Sequence, residues 1–185
     1  MNFISAALLV YGAMHLYAFG KVWRIFPRSF WLAMALILGG VALTLSPMAI
    51  RRLESHGWHD TAAIAAWGCY IWMGFIGLFF CISVVFDFGH ALASLLRLRV
   101  RQQIKEAAKF RTACLFAFLA VIYGLFEARQ IRVEEIRITT PKLASGRITL
   151  VQISDLHIGL MLGKGFIERI NTRLHEIKPD IVVAT

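Results

Sequence analysis

Four apolar segments dominate the first two thirds of the sequence and restrict its fold more than any other feature. They cover about residues 2–20, 30–50, 61–86 and 110–128. A helix rises about 1.5 Å per residue, so about 20 apolar residues cross a hydrocarbon core of about 30 Å. The fourth segment is short over residues 112–126 and only just reaches that length when residues 110 and 128 are included. We predict a polytopic bundle of four membrane helices over residues 1–128.

Composition agrees with a membrane environment and accounts for the positive charge. Hydrophobic residues make up 58% of the chain and charged residues 17%, against about 45–50% and about 25% in soluble domains. The formal net charge is +9, and its basic residues collect at the ends of the apolar segments. Lipid head groups and topology selection explain that placement. We therefore expect the lipid bilayer, and no nucleic acid, as a partner.

The distribution of basic residues predicts the sidedness of the chain. If all four segments span, residues 21–28 and 97–111 share one side of the membrane and carry nine Lys and Arg residues. The positive-inside rule places that side in the cytoplasm and the C-terminal domain outside it. Loss of the fourth span would return this domain to the cytoplasm. The opposite side receives six basic residues, which are Arg51, Arg52, Arg129, Arg132, Arg137 and Lys142.

A few residues inside the apolar segments need partners or special packing. We expect His15 to hydrogen-bond to a neighbouring helix, and Gly39-Gly40 to permit a close helix approach. Asp87 and His90 are three residues apart and would share one helix face. Proton or metal traffic is one interpretation of that pair. We favour the other, in which Asp87 lies near the membrane interface and meets water or an arginine.

The sequence pattern changes after the fourth segment. Residues 131–138 alternate apolar and charged side chains, which predicts a first strand, and 147–153 (RITLVQI) is typical of a buried parallel strand. Residues 165–178 place their apolar side chains on one helical stripe, and 181–183 predict another buried strand. We expect a βαβ unit with parallel strands and a right-handed crossover.

A possible metal-binding motif follows the RITLVQI strand directly. Asp155 and His157 stand two residues apart in the run SDLHIG. On an extended segment they project toward the same side and can offer a carboxylate oxygen and an imidazole nitrogen to one divalent ion. Such donors suit Mn, Fe or Zn. By itself the Asp-x-His pattern is common.

The sequence around this motif strengthens it. Residues 148–159 (ITLVQISDLHIG), the helix, and 178–185 (KPDIVVAT) together resemble the opening of the calcineurin-like metallophosphoesterases. They resemble most the branch in which membrane helices precede the catalytic domain. The resemblance implies an α/β domain whose N-terminal part is residues 147–185, after a connecting strand and linker over 129–146. It also implies that Asp155 and His157 are ligands of a pair of divalent metals.

The chain departs from the family pattern after its last strand. In the family this strand leads into a Gly-Asp-x-x-Asp motif whose first Asp bridges both metals, and an Asn-His motif and further histidines follow. None has a counterpart in these 185 residues. Asp180 precedes the last strand and so belongs to the opposite end of the sheet. We expect no complete catalytic site in this chain and no hydrolysis by it alone.

Two functions remain open from the sequence. The first is the N-terminal portion of a membrane-anchored, metal-dependent phosphoesterase that hydrolyses a phosphate mono- or diester or a lipid-linked pyrophosphate. The second is a non-catalytic integral membrane protein that binds lipid or a protein partner. An unfinished sheet favours the second, because its exposed edge invites a partner strand.

Overall fold

Four long helices form the first part of the chain, and a small βαβ unit forms the last. The computed structural model describes residues 3–96, 105–142, 146–154 and 159–185. The chain divides into two compact units, Met1–Leu125 and Phe126–Thr185. The elements are α1 (Phe3–Ile25), α2 (Phe30–Ser55), α3 (His59–Leu95), α4 (Glu106–Glu127), β1 (Leu150–Ile153), α5 (Lys164–Ile177) and β2 (Ile181–Ala184).

The first four helices are each long and apolar enough to cross a membrane. The prediction of four long apolar helices is therefore confirmed. The fourth segment, marginal by hydropathy, is a helix of 22 residues because it begins at Glu106 rather than at residue 110. The third has 37 residues, which corresponds to about 55 Å and exceeds a hydrocarbon core of about 30 Å.

The helices extend beyond the predicted apolar segments at their charged ends. Lys21 lies beyond the first predicted segment but is a residue of α1, and Arg51 and Arg52 lie beyond the second but belong to α2. Hydropathy detects only the apolar part of a helix, whereas the backbone hydrogen bonds continue through charged residues. The connector between α2 and α3 is only three residues long, and Gly57 makes its turn with a φ of 83°.

Small and aromatic side chains fill the centre of the helical unit. Ala113 and Ala117 of α4 are fully buried, and small residues of this kind allow close helix packing in lipid. Large apolar side chains such as Trp31 and Ile64 are exposed, which suits a surface that lipid solvates. The buried cluster consists of Tyr11, Ala18, Ile76, Phe79, Ala113 and Ala117.

His15 joins three helices through hydrogen bonds. Its Nε2 accepts from the indole N–H of Trp72 at 3.0 Å, and its Nδ1 lies 3.0 Å from the carbonyl oxygen of Tyr11 and 3.4 Å from Oγ1 of Thr44. A carbonyl can only accept, so these partners assign the proton to Nδ1 of a neutral imidazole. The expectation that a neighbouring helix satisfies His15 is confirmed.

Gly40 lies at a close contact between α1 and α2. A Cβ at this position would lie 2.5 Å from Cε2 of Phe19. At Gly39 a Cβ would meet no atom within 4 Å. The predicted close approach is therefore made by Gly40, because only Gly40 faces the Phe19 ring.

Alanine at these two glycines should have opposite effects. Gly40→Ala forces the Phe19 ring to move, and overpacking of this kind costs about 1–3 kcal/mol. Gly39→Ala adds a methyl group in open space and raises helix propensity by up to about 1 kcal/mol. Thermal unfolding of the purified chain in detergent, followed by Trp fluorescence, should show a lower Tm for Gly40→Ala alone. Equal shifts in both variants would contradict the packing described.

Charged side chains form a network between α1, α3 and α4. Nζ of Lys21 lies 2.6 Å from Oδ1 of Asp87 and 3.6 Å from a carboxylate oxygen of Glu106. The Tyr17 hydroxyl donates to Oδ2 of Asp87 at 2.6 Å, and Lys109 pairs with Glu106 at 2.9 Å. The side chain of Lys21 is only 7% exposed, so the carboxylates of Asp87 and Glu106 neutralise a buried cation. The three helices are thereby cross-linked.

This network corrects the interpretation of Asp87. The sequence predicted water or an arginine as its partner. The protein partners in the structure are Lys21 and Tyr17 rather than an arginine, and the Asp87 side chain stays partly exposed. His90 is exposed and, within the fully described residues 59–95, it makes no hydrogen bond or ion pair with Asp87. The structure therefore gives no contact between the two residues that supports proton or metal traffic.

Neutralising Asp87 should destabilise the helical unit. Asp87→Asn leaves the Lys21 ammonium buried without its nearest carboxylate. We expect a loss of about 1–3 kcal/mol, between the values for exposed and for fully buried pairs, because Asp87 is itself partly exposed. Chemical unfolding in detergent micelles measures this loss. Asp60→Asn, which removes an exposed carboxylate from the start of α3, is the control and should change stability little.

A double-mutant cycle tests whether the loss comes from the ion pair. Lys21→Met combined with Asp87→Asn removes both charges together. The double variant should be more stable than the sum of the two single losses predicts. Strict additivity would show that Lys21 and Asp87 do not stabilise the unit as a pair.

The last unit contains the predicted βαβ arrangement. β1 and β2 are parallel, with Leu150 opposite Ile181 and Ile153 opposite Ala184, and α5 connects them. The parallel pairing is confirmed, whereas the right-handed crossover stays a prediction. The strand predicted over 131–138 is wrong, since these residues form no strand. Alternation indicates a strand only where a neighbouring strand accepts its hydrogen bonds, and β1 pairs with β2 alone in the described residues.

Candidate metal site

The two parallel strands end at the same level. Ile153 of β1 lies opposite Ala184 of β2, and the backbone N–H of Thr185 donates to the Ile153 carbonyl at 3.0 Å. Ser154 and Thr185 therefore leave the sheet side by side. Ligands of open α/β sheets bind beyond this carboxyl edge. The SDLHIG run begins there, at Ser154.

One face of α5 is directed toward β1 and the other toward solvent. Phe166, Ile170 and Leu174 are half-buried and line a cavity of about 310 Å³ together with β1 and residues 130–134. Nη1 of Arg169 donates to the carbonyl of Arg129 at 3.1 Å, which ties the start of that segment to α5. The exposed residues of its solvent face include Glu168, Arg169, Arg173, His175 and Glu176.

The two predicted metal ligands, Asp155 and His157, lie outside the described residues. Their assignment as ligands stays a prediction. The structure describes the chain on both sides of them, up to Ser154 and again from Gly159, whose N–H donates to the Leu162 carbonyl at 3.3 Å. Gly163 then precedes the first turn of α5.

The described residues add no further metal-binding group. Across 3–96, 105–142, 146–154 and 159–185, no three His, Cys, Asp or Glu residues come close enough to hold an ion. A carboxylate and an imidazole fit part of the coordination sphere of one Mn, Fe or Zn ion. A pair of ions about 3.5–4 Å apart needs several more donors. Asp155 and His157 by themselves thus suit one partly coordinated ion.

Asp180 holds the opposite edge of the sheet. Its backbone N–H donates to the Thr149 carbonyl at 2.8 Å, and its Oδ2 accepts from the Thr149 N–H at 2.7 Å. Both residues precede their strands, so this reciprocal pair lies at the amino edge, away from Ser154. The expectation that Asp180 belongs to the other end of the sheet is confirmed. Sequence reasoning missed its partner, because no local pattern marks a contact between residues 31 positions apart.

Comparisons with known proteins support the resemblance seen in the sequence. The chain is 31% identical over 137 residues to a Danio rerio protein named transmembrane protein with metallophosphoesterase domain. It is 36% identical over 72 residues to an uncharacterized metallophosphoesterase of Aquifex aeolicus. The resemblance to the metallophosphoesterases is confirmed. No family model and no solved structure matches the chain.

The match to the Danio rerio metallophosphoesterase includes part of the helical unit. It covers 70% of this chain, and a stretch of that length contains α3 wherever it begins. The match to the Aquifex aeolicus metallophosphoesterase covers 37% of the chain. The chain spans less than a third of the length of either relative, 30% and 28% respectively. With the four apolar helices, the first match supports a multi-pass integral membrane protein.

Removing the Asp180 carboxylate should loosen the start of both strands. Asp180→Ala deprives the Thr149 N–H of its acceptor, and a lost hydrogen bond of this kind costs about 1 kcal/mol. Amide hydrogen exchange followed by mass spectrometry should show faster exchange around Thr149 and unchanged exchange in α1–α4. Glu176→Ala, which removes an exposed carboxylate from α5, is the control. Equal protection in both variants would contradict the role of Asp180.

Proposed function

We propose that this chain is the N-terminal part of a membrane-anchored, metal-dependent phosphoesterase. Helices α1–α4 anchor the protein in the bilayer, and residues 129–146 lead to the catalytic domain. Residues 147–185 form the first βαβ part of that α/β domain. The match to a transmembrane metallophosphoesterase, which includes α3, supports this division.

One observation carries the proposal. Ser154, the first residue of the SDLHIG run, follows β1 at the carboxyl edge of a parallel strand pair, opposite the end of β2. This edge is where an α/β domain binds its ligands, and the run contains the residue types that bind a divalent ion.

The proposed metal ligands are Asp155 and His157. They would hold one ion of a pair composed of Mn, Fe or Zn, and the other ligands come from residues beyond the described set. Such a pair, when bound, activates a water molecule and stabilises charge on the phosphoryl group. The β1–β2 pairing fixes the position of Ser154, which directly precedes Asp155 in the sequence. On these ligands alone, the 185-residue chain hydrolyses no phosphate ester.

The anchor restricts the accessible substrates. A catalytic domain joined to α4 by a short segment works near the membrane surface. The proposed substrates are therefore phosphate mono- or diesters, or lipid-linked pyrophosphates, at that surface. The excess of Lys and Arg in residues 21–28 and 97–111 supports an extracytoplasmic catalytic domain by the positive-inside rule.

Metal binding by the purified chain tests the ligand assignment. Binding of Mn²⁺ to the chain in detergent can be followed from the loss of the free-ion EPR signal. Asp155→Ala and His157→Ala should each weaken binding at least about tenfold, as loss of even an outer partner of a ligand does. Glu168→Ala and His175→Ala remove the same chemical groups from the solvent face of α5 and should leave binding unchanged. Equal binding in all four variants would refute the assignment.

Activity tests the reaction class. The product of the longest reading frame that contains these 185 codons should hydrolyse bis(p-nitrophenyl) phosphate with Mn²⁺, and Asp155→Ala should reduce kcat/KM at least about 100-fold, a loss of about 2.7 kcal/mol. The 185-residue chain should show no turnover. Absence of metal-dependent turnover from the longer product would favour the alternative, a non-catalytic membrane protein that binds lipid or a partner. The exposed edge of β2 would then serve that partner.

A further inference from the structure

An open groove lies between α1, α2 and α3, near the amino end of α1. Its volume is about 1180 Å³, which exceeds the range of about 300–1,000 Å³ for small-molecule pockets. The shape suits a long apolar ligand, since both walls follow helices through the proposed membrane region. Its apolar lining includes Leu8, Met14, Ile50 and Met73.

The mouth of the groove is positively charged. Arg51 and Arg52 lie in the last turns of α2, line the groove and are exposed. In the part of the chain that the structure describes, neither guanidinium has an ion-pair partner, although Glu54 also lines the groove. The mouth of the groove thus carries two guanidinium groups and one carboxylate, and this net positive charge favours an anionic ligand. The planar fork of Arg matches a phosphate through paired hydrogen bonds.

A buried hydroxyl provides a second, independent observation. Tyr11 lines the same groove and is only 6% exposed. Its hydroxyl oxygen is buried and, among the described residues, has no hydrogen-bond partner. Buried polar groups normally have partners, and the nearby imidazole of His15 has them on both nitrogens. Tyr11 therefore supplies an unpartnered hydroxyl donor on a residue that lines the groove.

We propose that this groove binds an anionic phospholipid. The acyl chains lie along the apolar walls, the phosphate pairs with Arg51 and Arg52, and an oxygen of the lipid accepts from the Tyr11 hydroxyl. A bare apolar helix would cover the walls but would leave the guanidinium groups and the hydroxyl without partners. This lipid site does not require the phosphoesterase reaction.

Lipid-dependent thermal stability tests the proposal. The purified, delipidated chain in detergent is heated with added phosphatidylglycerol, phosphatidylcholine or glycerol 3-phosphate. A ligand that binds only the folded state raises the Tm. We expect a rise with phosphatidylglycerol and none with glycerol 3-phosphate, which lacks the acyl chains. A rise of the same size with phosphatidylcholine would overturn the proposal.

Charge variants locate the site. Arg51→Gln combined with Arg52→Gln should abolish the rise caused by phosphatidylglycerol. Arg28→Gln combined with Arg111→Gln removes the same charge at the other end of the helices and should preserve it. Loss of the rise in both double variants would indicate attraction to net charge alone and would overturn the assignment to this groove.

The Tyr11→Phe variant tests the hydroxyl. Without lipid, this variant should unfold at the same or a higher Tm, because it removes a buried donor that has no partner. With phosphatidylglycerol, its gain in Tm should be smaller than that of the unmodified chain. An equal gain would refute the hydroxyl contact. A Tm that rises with protein concentration and not with lipid would assign the groove to a second copy and overturn the proposal.

Discussion

A bilayer offers polar groups no water, so each one that a helix buries there has to find its partner within the protein or in a lipid. This constraint organises the helical unit. The Lys21 ammonium meets Asp87, and the ring of His15 bonds to α1 and α3. These contacts connect helices whose apolar surfaces alone would pack as readily against lipid tails. The position and orientation of the helices in the bundle thus depend on a few polar pairs.

The last unit follows the rules of a parallel sheet in water. A single pair of short strands and one helix leaves most of its apolar surface exposed: β2 is exposed along its whole length, and α5 buries no residue fully. Two strands rarely form a stable sheet without more partners. In the proposed phosphoesterase domain, further strands and helices would cover these surfaces.

Sequence patterns predicted the helices and the βαβ unit because both depend on local periodicity. They failed where the outcome depends on distant residues. No local pattern predicts that Lys21 pairs with Asp87, 66 positions away. Residues 131–138 alternate like a strand but pair with no strand in the part of the chain that the structure describes. For the candidate site, the sequence predicted Asp155 and His157 from their residue types and spacing. The structure added the observation that β1 and β2 end at the same level. Hydropathy could not show the groove between α1, α2 and α3.

The reciprocal bonds between Asp180 and Thr149 have a consequence at the far end of the sheet. They fix which residues of β1 and β2 face each other, and the pairing of Ile153 with Ala184 follows from that. A slip of one residue would displace one strand end by about 3.3 Å, whereas the metal centre proposed at this edge would need ligand distances within about 0.2 Å of their usual values. Asp180 therefore helps to align the two strand ends at the carboxyl edge of the sheet, although it lies at the amino edge.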